Sequence, residues 1–354
     1  MSPTAIAPPT SPTNGAATRN GNGKLVKAKN GNGAPHLTSA DPTAPTETLP
    51  VDIASWTGGA RGSAEHETAV KLAHKWAYLK KGVPTGQALV LSVEGNFHGR
   101  TLGVISMSTD PESRAGFEPF LAGVGPTFVD GGAVRTIRFN KVGDLERALE
   151  LHGANVAAFL VEPIQGEAGI VVPDEGYLTK VHALCKKHNV LLICDEIQTH
   201  DGVRPDVVLL GKALSSGVYP VSAVLADREV MLCIQPGEHG STYGGNPLAC
   251  AVALTALRVL TDEQLAPRAA ALGALFRRAL RDLRAPLVRA VRGRGLLNAL
   301  VFDAAKSTRG RSAWQLCLLL KSRGVLAKPD VVRFAPPLVI AEEDRGAHYR
   351  GVSC

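Results

Sequence analysis

Apolar and polar positions alternate along the chain in two distinct rhythms. In HETAVKLAHKWAYLKKG, residues 66–82, Ala69, Leu72, Ala73, Trp76 and Leu79 fall at helical spacing, with Gly82 as the stop. ALVLSVEG then reads as a strand. VAAFLVEP and VLLICDE are short unbroken apolar runs, as expected of strands buried on both faces. Between them Leu178, Val181, Leu184 and Cys185 carry a helical period over residues 177–189. DVVLLG and VSAVLAD continue the strands, and this alternation predicts an α/β domain around a mostly parallel mixed sheet. After residue 246 the pattern changes. NPLACAVALTALRVL, QLAPRAAALGALFRRALRDL and SAWQLCLLLKSRG are helical, while GLLNALVF and VVRFAPPLVI are strand-like, which predicts a smaller α+β C-terminal domain. Residues 1–50 are rich in Pro, Thr, Ser, Gly, Asn and Ala and hold almost no large apolar side chains, so they are expected to be disordered. The expected division is a tail at 1–50, a large α/β domain at 51–247 and a small domain at 248–354.

Composition narrows the function classes. Lys and Arg number 39 against 32 Asp and Glu, a net charge of +7 spread along the chain, and aromatic residues make up only 5%. A nucleic-acid surface with interleaved basic and aromatic residues is therefore not expected, whereas anionic small molecules suit a mild positive field. No two of the six cysteines have the spacing of a metal knuckle or a redox pair. Buried free thiols, a reducing compartment and no bound metal are the expectation. No apolar run reaches membrane-spanning length, and Arg19 is the only arginine in residues 1–50. The cytoplasm is favoured over the mitochondrial matrix.

Two residues carry candidate chemistry. Lys212 follows the apolar strand DVVLL, at the carboxyl end where crevices form in α/β sheets. Alone it reads more readily as a lysine snorkelling from a strand end. Asp195 closes LLICD in a segment too apolar to leave a carboxylate unpaired without cost, and a helix cap or ion pair is its plain alternative. Pyridoxal-phosphate chemistry needs both: a lysine to bond the cofactor's aldehyde and an acid to keep its ring nitrogen protonated.

The blocks AAFLVEPIQGEAGIVVPDEGYL, LLICDEIQT, RPDVVLLGKALSSGVYPVSAVL, GEHGSTYGGNPLAC and VRFAPPLVI stand in order along the chain. Together they resemble the class III aminotransferases, and within them the branch acting on ornithine, over roughly residues 66–340. The resemblance implies a pyridoxal-phosphate-dependent transferase of fold type I. It implies that Lys212 binds the cofactor and shuttles a proton, that Asp195 pairs with the ring nitrogen, and that Gln198 bonds the ring hydroxyl. Phe97 would stack on the ring, with His98 behind the residues that touch it; a core aromatic is the plain reading of Phe97. Thr242 would reach the phosphate of the neighbouring subunit's cofactor, which implies a homodimer with shared sites. Arg333 and Arg100 would bind substrate carboxylates, for which a planar guanidinium is suited. Glu167 would pair with Arg333 and release it when a dicarboxylate arrives. The implied reaction moves the δ-amino group of ornithine to a 2-oxo acid, 2-oxoglutarate, leaving glutamate 5-semialdehyde. Acetylornithine or 4-aminobutyrate as donor is the nearest alternative, and an inactive relative serving as a dimerisation partner is another.

The chain also departs from the family pattern. Residues 1–50 do not resemble the family's amino-terminal region, so no substrate-selecting residue is assigned there. The phosphate-binding turn, within WTGGARGSAEHETA, aligns with either Gly62 or Ser63 as its key residue. Nine residues, 197–205, separate Glu196 from Asp206, fewer than the dozen or so of a usual parallel crossover. This predicts a taut loop between the Asp195 and Lys212 strands, or a shift in their relative placement. AKPDVVRF is shorter than its family counterpart, and EEDRGAHYRGVSC diverges from it.

Overall fold

The structure, a computed structural model, describes residues 64–195, 203–307, 310–329 and 331–340. All of them lie in one unit, Leu49–Cys354. The tail at 1–50, Gly62, Ser63, Gln198 and the divergent end at 341–354 fall outside the described residues.

The chain enters through α1 (Ala64–Trp76), which a short wider turn extends to Lys81 before Gly82 stops it at φ 81°. Then come β1 (Leu89–Leu91), the single turns α2 (Leu102–Ile105) and α3 (Pro111–Arg114), β2 (Val124–Gly125), and the hairpin β3 (Thr127–Asp130) and β4 (Ala133–Thr136). Two strand–helix units follow: α4 (Val142–His152), β5 (Val156–Val161), α5 (Tyr177–Lys187) and β6 (Leu191–Asp195). β7 (Val207–Leu210), β8 (Ala223–Ala226) and α6 (Arg228–Met231) complete this part. Beyond it lie α7 (Pro247–Asp262), α8 (Leu265–Asp282), β9 (Val288–Arg294), β10 (Leu297–Phe302), α9 (Ala313–Lys321), β11 (Lys328–Pro329) and β12 (Val332–Phe334).

The main sheet has the order β2-β1-β5-β6-β7-β8, parallel throughout except for the antiparallel edge strand β8. Every residue of β5 and β6 is buried, as their unbroken apolar runs predict. Along β6 the faces alternate: Leu191 and Ile193 pack in a cluster with Leu72 and Trp76 of α1, while Leu192 and Cys194 pack in one with Leu149 of α4 and Val181 of α5. Each such side chain contributes about 1.5–3 kcal/mol by leaving water.

The short link from β6 to β7 leaves both strands in place. Ile193, Cys194 and Asp195 pair in parallel with Val207, Val208 and Leu209. Asp206 anchors the arriving end: its N–H donates to the Leu192 carbonyl at 3.0 Å, and its Oδ2 accepts the Leu192 N–H at 2.9 Å. The Asp195 and Lys212 strands are therefore direct neighbours, rather than displaced.

A second, antiparallel sheet runs β11-β12-β10-β9 against α8 and α9. Of VVRFAPPLVI only Val332–Phe334 is strand. Pro336 and Pro337 have no N–H to continue the ladder, which shortens the predicted strand. No helix among the described residues is long and apolar enough to cross a membrane.

Candidate active site

The carboxyl ends of β5, β6 and β7 converge on one polar cluster. Asp195, the last residue of β6, is buried, and its Oδ2 lies 2.9 Å from His98 Nδ1 and 2.7 Å from His66 Nε2. Burial pushes the Asp195 carboxyl up, but the charge of His66 and both imidazole contacts outweigh it and hold it well below the usual carboxylate range. Burial also works against charge on His66, yet the Asp195 carboxylate overcomes it and raises that imidazole. For His98 burial prevails over the same carboxylate, and its pKa is lowered. The arrangement is a carboxylate and two imidazoles enclosed together, with the His66 pKa raised and that of His98 lowered.

The loop after β1 sets His98 and Phe97. Asn96 Nδ2 donates to the carbonyls of Val93 at 2.6 Å and Met107 at 2.8 Å, which locks this turn. Glu162, the residue after β5, accepts the Phe97 N–H on Oε2 at 3.0 Å and the Gly166 N–H on Oε1 at 3.1 Å. It thus ties the loop bearing Phe97 to the loop bearing Glu167. Burial, then the Asp195 charge, pushes Glu162 up to about 8. Arg100 is exposed, with its guanidinium carbon 5.4 Å from the centre of the Phe97 ring.

Lys212 follows Gly211 at the end of β7 and opens a short turn to Ser215. Its positive charge is felt by His66, His98 and Glu162, which places it on the same cluster. It adopts φ 43°, a left-handed conformation that non-glycine residues seldom take.

Farther along, Arg333 of β12 is 8% exposed and meets Glu167 in a two-pronged ion pair, with Nη1 3.2 Å from Oε1 and Nη2 3.2 Å from Oε2. Nη1 also donates to the Gly166 carbonyl at 2.7 Å. Lys328 of β11 makes a close ion pair with the same Oε2. Burial raises Glu167, but Arg333 and Lys328 outweigh it and hold it low. Gly169, at φ 96°, makes this approach possible: a Cβ there would stand 2.8 Å from the Val331 side chain. Thr242 is exposed in the loop before α7. That loop is strapped to α1, where His239 bonds Thr68 at 2.9 Å and Lys71 at 2.8 Å.

The structure therefore gathers Asp195, Lys212, Phe97 and His98 at one sheet edge and joins Arg333 to Glu167. Arg100 and Thr242 stand on exposed surface. Sequence reasoning missed His66, Glu162, Lys328 and His239. Glu162 could have been suspected as a carboxylate ending the apolar run VAAFLV; His66 carries no such signal, since it reads as an ordinary helical position.

A lysine and a buried aspartate thus stand at the carboxyl ends of two neighbouring parallel strands. The model for "Aminotransferase class-III" matches residues 49–350, and the chain belongs to that family. Curated relatives include ornithine aminotransferases of Schizosaccharomyces pombe, 56% identical over 80% of this chain, and of Emericella nidulans, 52% identical over 80%. The mitochondrial one of Rattus norvegicus is 53% identical over 78%. The chain spans 67%, 65% and 63% of the length of these three relatives. Among solved structures, an ornithine aminotransferase from Toxoplasma gondii superposes with a TM-score of 0.76 at 45% identity, covering 82% of this chain and 70% of that one. An acetylornithine aminotransferase from Elizabethkingia anophelis gives 0.69 at 47% identity, covering 82% and 72%.

Class III aminotransferases use pyridoxal phosphate, and the donor set here fits the ring end of that group. A buried carboxylate held ionised suits a protonated ring nitrogen, and a lysine opens the turn that follows the adjacent strand.

Proposed function

We propose that the chain transfers the δ-amino group of L-ornithine to a 2-oxo acid, with 2-oxoglutarate as acceptor, and releases glutamate 5-semialdehyde. The observation that carries this reading is the Arg333–Glu167 pair. A donor with a distal amine needs the arginine neutralised, whereas an acceptor with a distal carboxylate needs it free. Glu167 is 41% exposed on its side chain and is also held by Lys328, so it can leave Arg333 without losing a cationic partner.

Pyridoxal phosphate supplies, when bound, an aldehyde for the amino group and a ring that accepts electrons. Asp195 would keep the proton on the ring nitrogen, and Phe97 is assigned to the ring face. Lys212 Nζ would hold the cofactor and serve as the base that moves a proton at the substrate's reacting carbon. Gln198 is assigned to the ring hydroxyl, and Gly62 or Ser63 to the phosphate. Arg100 is assigned to a substrate carboxylate together with Arg333. We assign residues 51–247 to a cofactor-binding domain and 248–354 to a smaller one, behind a low-complexity tail.

A homodimer with Thr242 reaching the neighbouring subunit's cofactor phosphate is part of the proposal. It is supported by the exposed apolar side chains Tyr243, Leu248, Leu254 and Leu257 on and beside α7. The cytoplasm is the proposed compartment, in keeping with the buried free thiols of Cys185, Cys194, Cys233 and Cys317. The test is semialdehyde formation from ornithine, N-acetylornithine and 4-aminobutyrate under equal conditions. Preference for ornithine upholds the proposal. Preference for either rival donor moves the chain to another branch, and turnover of none of them with cofactor bound overturns it.

A further inference from the structure

We propose that His66 is a placeholder for the cofactor's ring nitrogen, resting on Asp195 while the cofactor is absent and moving to Glu65 when the ring takes its place. The inference rests on the assignment of Asp195 to the ring nitrogen. Three features of the cluster lead to it.

The first is crowding. Asp195 Oδ2 already has two nitrogens within 2.9 Å, so one partner must yield before the ring nitrogen can bond that oxygen. The second is the unequal hold on those two partners. His98 Nδ1 makes a properly directed hydrogen bond to Asp195, and its loop is locked by Asn96. His66 Nε2 comes closer, to 2.7 Å, yet neither of its ring nitrogens has a hydrogen-bond partner. His66 sits close to the carboxylate without a directed hydrogen bond, which makes it the displaceable one.

The third is a destination. Glu65 Oε2 is a buried carboxylate oxygen without a hydrogen-bond partner, and Glu65 Oε1 already stands 3.6 Å from His66 Nδ1. A rotation of the imidazole would exchange one carboxylate for the other, so the displaced ring keeps a carboxylate partner in a buried place. Glu65 also lines Gly211, just before Lys212: a Cβ at Gly211 would lie 3.2 Å from Glu65 Oε1. The move would therefore be sensed beside the cofactor lysine. His66 acts through Asp195 and is a positioning residue.

The experiment measures the affinity of the chain for pyridoxal phosphate by absorbance titration, in wild type, His66→Ala, His66→Gln, Glu65→Gln and the Glu65→Gln/His66→Ala double variant. Circular dichroism and urea midpoints establish that each is folded. The placeholder predicts binding about tenfold tighter in His66→Ala, the scale of one close charge contact removed as a competitor. His66→Gln, which keeps bulk and loses charge, should also bind more tightly. Glu65→Gln should bind more weakly than wild type, and the double variant should match His66→Ala, because Glu65 matters only as the site that receives His66. Unchanged or weaker binding in both folded His66 variants overturns the proposal, as does a Glu65 effect that persists without His66. If no chain binds the cofactor, wild type included, the assignment of Asp195 falls and the placeholder falls with it.

Discussion

β5 with β6 and helix α7 are both strongly apolar in sequence, yet they meet opposite fates. All residues of β5 and β6 are buried, between α1 on one face of the sheet and α4 and α5 on the other. In α7, PLACAVALTALRVLTD, Ala249 is the one buried residue, while Leu248, Leu254, Leu257, Val259 and Leu260 face outward. The first stretch is completed by its own chain and ends in the Asp195 cluster. The second follows directly on the Thr242 loop, and its outward side chains have no cover among the described residues. The comparison sets a lysine-and-aspartate cluster built within one chain against an exposed Thr242 loop and helix, the face that the proposed second copy would cover.

The comparison can be broken first at its buried side. Phe159→Ala in β5 should cost about 3–5 kcal/mol of stability, read from urea unfolding. Glu162 gives a pH signature of the same region. Its folded pKa, about 8, stands above the ordinary 4.5, so the folded chain binds the extra proton and the stability it contributes is full below about 4.5. That contribution is lost as pH rises through about 8. Glu162→Gln, locked in the neutral form, should flatten the fall in unfolding midpoint across this window. A midpoint profile identical to wild type would show Glu162 ionised when folded.

Arg333→Lys removes the two-pronged contact and keeps the charge. Loss of a charge-assisted bond of about 1.5–3 kcal/mol should raise KM for the oxo acid about 10- to 100-fold, with a smaller change for ornithine. The smallest effect on the single chain, and the most telling for α7, comes from Leu254→Asp with Leu257→Asp. Stability should stay within about 0.5 kcal/mol in the monomer, as at exposed sites generally, while sedimentation shifts from dimer to monomer. A large stability loss in a chain that was already monomeric would show α7 to be covered from within.

Much of this was legible in the residue pattern. The unbroken runs VAAFLV and LLICD gave doubly covered strands, and the strand–helix alternation gave their parallel order. Lys212 and Asp195 stood out because strand ends in such sheets are where ligands bind. His66 did not, because its importance comes from a fold that carries the first turn of α1 against the end of β6, more than a hundred residues later. Lys328 was equally hidden, since a hairpin alone brings it to Glu167. The strand-like run after Phe334 was misread because apolar content spoke louder than the two prolines. The shortened link after Asp195 left a taut loop or displaced strands as the alternatives, and the strands are not displaced. β6 pairs with β7 in parallel, and Asp206 clamps the arriving end on Leu192.

The most direct test of the account is borohydride reduction of the chain after incubation with pyridoxal phosphate, followed by mass mapping of its lysines. The account predicts one cofactor per chain, fixed at Lys212 and absent from Lys212→Ala. Label spread over surface lysines, or unchanged in the Lys212 variant, would contradict it.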